Sequence, residues 1–138
     1  MEAFITENKP RIGLVSLEAP LLSNLHVKGN IAMIKEYHQN LPRREAEILA
    51  LQHLQRYGME DTADKRGSAL TNRERFCVML LRAAMLEGAI ILIDRPFTIA
   101  PDIKDASFIE EAIKRIDDLF AQCHIFDYTW NKERYRNG

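Results

Sequence analysis

The sequence predicts an α/β domain, a small parallel sheet of about three strands carrying a helical insertion. Three observations lead there. Residues 89–93 are an unbroken apolar run closed by Asp94, the pattern of a strand buried on both faces of a parallel sheet. The stretch before it opens with Thr71 and Glu74 at capping-box spacing. It continues with Phe76, Cys77, Leu80, Leu81 and Ala84 at three- and four-residue intervals, the apolar face of a helix. Two further short apolar runs, residues 12–15 and 124–128, give the order strand, several helices, strand, helix, strand.

Taken in order, residues 1–11 are a polar lead, acidic and then basic with no apolar core, so no signal peptide is expected. Residues 12–15, IGLV, read as a short buried strand. Residues 16–28 read as a loop with Pro20 and the apolar anchors Leu21, Leu22, Leu25 and Val27. Asn30 is placed to cap a helix through Tyr37, with Ile31, Met33 and Ile34 as its apolar face. Pro42 suits the first turn of the next helix, residues 43–57, whose apolar side is read as Ile48, Leu51 and Leu54. Gly58 stops that helix, residues 60–66 form a helical turn, and Gly67-Ser68 leads to the capped helix, which Gly88 ends. After Asp94, Arg95-Pro96-Phe97 reads as a turn. Residues 105–122 read as a helix with Phe108, Ile109, Ala112, Ile113, Ile116, Leu119 and Phe120 on one face, and the tail from Asn131 as polar and frayed.

At 138 residues the chain has single-domain length, enough to bury roughly two thirds of its unfolded surface. A formal net charge of −1 gives no nucleic-acid footprint. No apolar run approaches the ~20 residues needed to span a bilayer. Cys77 and Cys123 lie in apolar surroundings without CxxC spacing and read as reduced core thiols of a cytoplasmic protein. His26, His38, His53 and His124 have no metal-ligand spacing, so no metal site is expected. Neither GxSxG nor a Gly-rich dinucleotide pattern occurs. Lys132, Arg134 and Arg136 make a mildly basic, solvated tail.

The capped helix, the buried strand and its terminal acid resemble the second half of an ATP-binding cassette (ABC) ATPase, a partial P-loop NTPase domain. The family's LSGGQ signature is matched by Leu70-Thr71-Asn72-Arg73-Glu74, and its Walker B strand by IILID followed by Arg95. Tyr57-Gly58-Met59-Glu60-Asp61-Thr62-Ala63-Asp64 looks like the family's VGLEDLAD. The resemblance implies a partial α/β core at 11–17 and 89–130, a helical subdomain at 25–88 and a tail at 131–138. It also implies a strand order of Q-loop strand, Walker B strand, last strand, leaving residues 124–128 as an edge. Such an edge needs covering by a terminal segment, a second copy or a partner chain.

The scaffold residues match that pattern and the chemical residues mostly do not. GxxxxGK[ST], the loop that cradles phosphates, does not occur in these residues. Leu17 stands at the Q-loop glutamine and cannot ligate a metal; the neighbouring Glu18 could, but reads as a surface acid. Asn72 and Arg73 replace the two signature glycines, and Glu74 adds negative charge where phosphate would approach. Arg73 could bind an anion, or be a solvated charge at the helix start. Arg95 replaces the catalytic Glu, and a guanidinium cannot accept a proton. Trp130 stands at the switch histidine and has only a donor; it either packs on the sheet edge or forms a contact surface. Asp94 remains, as a Mg²⁺ ligand or as the partner of Arg95 or of loop N–H groups. No cofactor is therefore expected, with ATP and Mg²⁺ weak or absent.

The resulting expectation is a non-catalytic, ABC-ATPase-like pseudoenzyme acting by protein contact. Its place would be cytoplasmic, peripheral at the inner membrane through a partner, as an accessory of an ABC transporter. The partner would be a membrane or ATPase subunit, or a second copy. The alternatives are half of a split ATPase completed by a chain with the phosphate loop, and a homo-oligomeric remnant with no transporter role.

Overall fold

The computed structural model describes residues 11–136. Strands β1 (Ile12–Val15), β2 (Ile90–Asp94) and β3 (Gln122–Phe126) form one parallel sheet in the order β1-β2-β3. Ile12 pairs with Ile90 and Val15 with Ile93, while Ile90 pairs with Gln122 and Asp94 with Phe126. This is the expected α/β arrangement with its expected strand order. Central β2 is buried from Ile90 to Ile93, as an unbroken apolar run requires. β3 is half exposed and lies at an edge, two residues earlier than the expected 124–128. Residues 1–10, one of the segments expected to cover it, lie outside the described residues.

Helices α1 (Val27–Gln39), α2 (Arg43–Leu54) and α3 (Asn72–Ala84) form the insertion between β1 and β2. α3 starts as expected: Thr71 Oγ1 accepts from Glu74 N at 3.1 Å and Glu74 Oε1 accepts from Thr71 N at 2.9 Å. Its burial runs unbroken from Phe76 to Ala84, well beyond one face, because it is packed against both β1 and α1. It ends at Ala84. Gly88, expected to stop it, instead takes φ +62° in the turn that leads into β2.

Two helical expectations are corrected. Asn30 does not cap α1, which begins at Val27; it lies within the helix, fully buried, and its amide bonds the preceding loop. In α2 the buried residues are Ala46, Ala50 and Leu54, whereas Ile48 and Leu51 are 50% and 37% exposed. α1 and α2 pack closely, and small side chains let helix backbones approach. Ile48→Ser should therefore leave stability within about 0.5 kcal/mol of the parent in urea titration; a larger loss would place Ile48 in the core.

Downstream, Pro96 opens a short helix, α4 (Pro96–Ile99), where a turn was expected. The expected long helix is only α5 (Ser107–Lys114), which gives way to turns around Ile116 and Leu119. Its N-terminus is set by Asp105, whose Oδ1 accepts from Ser107 N at 2.9 Å. The tail is corrected as well. After a 3₁₀ turn at Thr129–Asn131, α6 (Lys132–Arg136) docks: Tyr135 stacks edge-on against Phe97 at 5.5 Å, Arg134 lies over the Phe97 ring, and Ala106 N donates to Arg134 O. The helical insertion is tied to the other side of the domain by Arg56, which forks onto Asp118, and by Tyr57 Oη, which donates to Ala112 O at 2.6 Å.

Candidate functional site

The segments leaving the carboxyl ends of the three strands converge on Asp94, where open α/β sheets place their ligands. After β1, Ser16 is buried; its Oγ accepts from Glu18 N at 3.2 Å and donates to Asp94 Oδ2 at 3.4 Å. After β2, Arg95 takes a left-handed conformation, φ 50° and ψ 64°, rare for a residue with a Cβ. It is pinned there by its backbone N–H, which donates to Phe126 O at 2.7 Å and prolongs the β2–β3 pairing.

From that position the guanidinium folds back onto the preceding carboxylate. Arg95 Nε donates to Asp94 Oδ1 at 3.1 Å and Nη2 donates to Oδ2 at 3.0 Å, a bidentate fork. The third nitrogen, Nη1, donates to Tyr128 Oη at 3.1 Å, and Glu18 lies 3.8 Å from Nη2. These bonds, Asp94 first and Tyr128 second, push the Arg95 pKa upward. The group therefore stays cationic at any working pH. Asp94 thus meets Arg95 through both of its oxygens.

Trp130 does not pack on the sheet edge. It is 74% exposed and stacks on Tyr128, with ring centroids 4.1 Å apart and planes 11° from parallel. Leu17, at 58% exposure, adds a third apolar side chain to the exposed ones in the segments around the fork. Sequence reasoning passed over Ser16, Asp127 and Tyr128 as functional residues. Asp127 accepts from Tyr128 N, Asn131 Nδ2 and Tyr135 Oη, so it holds the Tyr128–Trp130 turn in place. The available signal was position: polar residues directly after the strands of a parallel sheet.

The signature-like residues form a separate group. Thr71 and Glu74 are occupied by the capping box, Asn72 Nδ2 donates to Asp102 Oδ1 at 3.3 Å, and Arg73 lies over the Phe108 ring at 5.0 Å. None of these contacts reaches the Asp94–Arg95 fork. Among the described residues, no group of three His, Cys, Asp or Glu is placed to hold a metal ion, and no helix is long and apolar enough to cross a membrane. Cys77 is buried and Cys123 half-buried, both as free thiols.

The parallel sheet, the capped helix and the acid at the end of the central strand define an ABC ATPase fold. The chain is 30% identical over 136 residues to the phosphonates import ATP-binding protein PhnC of Chromohalobacter salexigens, covering 91% of this chain and 49% of that one. It is 29% identical over 118 residues to the molybdenum import ATP-binding protein ModC of Brucella melitensis biotype 1, covering 85% and 30%. The glutamate transport ATP-binding protein GluA of Corynebacterium glutamicum is 29% identical over 85 residues, covering 62% and 35%. Among solved structures, the ADP- and Pi-bound dimeric structure of the ATP-binding cassette MJ0796 superposes with a TM-score of 0.64 at 18% identity, covering 95% of this chain and 58% of that chain. No family model matches. The chain is thus a relative of the ATP-binding proteins of ABC transporters and spans between about a third and a half of their length.

Proposed function

We propose that this chain is a non-catalytic, ABC-ATPase-like protein that works by protein contact, as an accessory or regulatory component of an ABC transporter. It would act in the cytoplasm, held at the membrane through its partner. The observation that carries this reading is the fork of Arg95 across both oxygens of Asp94. A Mg²⁺ ion needs free carboxylate lone pairs in near-octahedral geometry, and here the Arg95 guanidinium takes one on each oxygen and the Ser16 hydroxyl another on Oδ2, beside a fixed positive charge. Leu17 brings no oxygen, and Arg95 and Trp130 are donors only, so the side chains at these three positions do not fit a Mg²⁺–nucleotide group. The same changes leave an apolar surface: Leu17, Tyr128 and Trp130 are exposed, and Trp, Tyr and Arg are the side chains that anchor interfaces. The partner would be a transporter membrane or ATPase subunit, or a second copy of this chain.

The test is a calorimetric titration of MgATP into the purified chain, paired with native mass measurement and co-purification with cognate transporter subunits. The expected result is no nucleotide binding tighter than about 1 mM, roughly 4 kcal/mol, and a subunit or self-complex that is lost with Trp130→Ala. Micromolar MgATP affinity or phosphate release by the chain alone would overturn the proposal.

A further inference from the structure

A cleft lies away from the strand ends, between the helical insertion and α5. Its volume is about 360 Å³, inside the range of small-molecule pockets. Its floor is apolar: Met59 and Cys77 are buried, and the Phe108 ring is half-buried. Its walls are fixed to each other, because Tyr57 Oη bonds Ala112 O and Arg56 bonds both Asp118 and the Arg115 carbonyl. The cleft is therefore formed without a ligand.

Four charged side chains line it, and three are committed. Glu111 Oε1 accepts from Arg115 Nε at 3.2 Å, Arg115 Nη1 also donates to Arg56 O, and Glu74 Oε1 closes the capping box. Arg73 is exposed and its side chain forms no hydrogen bond or ion pair with the described residues; its guanidinium lies over the face of Phe108. Its donors are the ones left for a ligand, and they stand beside the apolar floor.

We propose that this cleft binds a small flat apolar molecule bearing one anionic group, a carboxylate or sulfonate, with the anion on the Arg73 guanidinium and the ring on the apolar floor of Met59 and Cys77 beside the Arg73–Phe108 pair. The Arg73 fork supplies orientation, and the apolar floor supplies burial. The site is independent of the Asp94–Arg95 fork, so its test stands apart from the nucleotide titration.

The probe is anilinonaphthalene sulfonate, which has the stated chemistry and reports its own burial by fluorescence. Saturable binding at one site per chain is expected. Arg73→Gln, an exposed substitution, should weaken it about tenfold, the size of a lost charge-assisted hydrogen bond. Three results would overturn the proposal: binding that does not saturate, affinity unchanged by Arg73→Gln, or a signal abolished by Leu51→Ser, which would move the probe to the exposed face of α2.

Discussion

Gly13→Val is expected to cost this protein most or all of its stability, and Gly13→Ala about 3 kcal/mol or more. Gly13 sits in β1 opposite Ile91, where α3 crosses the sheet. A Cβ there would lie 2.3 Å from the Ala83 carbonyl oxygen and 2.8 Å from its C and Cα. All three are helix backbone atoms, so no side chain can rotate away, and relief requires α3 to lift from β1. α3 carries the most continuously buried surface in the fold, from Phe76 to Ala84, so lifting it opens the core. A domain of this size has a total stability of only about 5–15 kcal/mol. The measurement is the urea midpoint of both variants. Ala83→Gly in the Gly13→Ala background is expected not to rescue, because the clash is with backbone. A midpoint shift equivalent to under about 0.5 kcal/mol would mean that α3 is not seated on β1 as described.

The same helix shows why part of the fold is legible in sequence. The start of α3 is written locally in Thr71 and Glu74, and β2 is written locally in its apolar run, so neither depends on knowing its neighbours. The face of α2 is different. Ala46 and Ala50 are buried because α1 comes close, and alanine contributes little to a hydropathy pattern, so the larger Ile48 and Leu51 dominate the reading while facing outward. Tyr135 and Arg134 look like polar tail residues until Phe97 is brought beneath them. At the site, Asp94 and Arg95 are adjacent in the chain and their pairing was one of two open roles. The left-handed turn that aims Arg95 backwards has no sequence signal, since Gly or Asn is the usual occupant. The stacking of Trp130 on Tyr128 also escaped, because it follows from how Asp127 sets the turn rather than from any periodicity.

Asn30→Asp, a change of one atom type, is expected to destabilise the protein by about 3 kcal/mol at neutral pH and by less in acid. Asn30 is fully buried; its Oδ1 accepts from Leu22 N at 2.7 Å, and its Nδ2 donates to the carbonyls of Leu22, Leu25 and His26 at 3.1 to 3.3 Å. The aspartate keeps the acceptor and loses the donor, so a buried carboxylate oxygen faces three carbonyl oxygens. Burial and that repulsion disfavour the charged form and raise the folded-state pKa above the ordinary carboxylate value of about 3.9. A native state that holds its proton more tightly than the unfolded chain loses stability as pH rises from the unfolded pKa through the folded one. The penalty should therefore be smallest near pH 4, where the protonated acid can donate one hydrogen bond, and largest at pH 7. Thermal unfolding at the two pH values, each against the parent at the same pH, makes the comparison. A penalty that is equal at both would mean the new carboxylate has reached water. The consequence should stop short of the site, because Arg82, donating to the carbonyls of Ala19 and Pro20, anchors the loop between Ser16 and the stretch that Asn30 holds. Loosening should be confined to residues 21–26, because Arg82 still holds Ala19 and Pro20, and the Ser16–Asp94 contact and the Arg95 fork should stay in place.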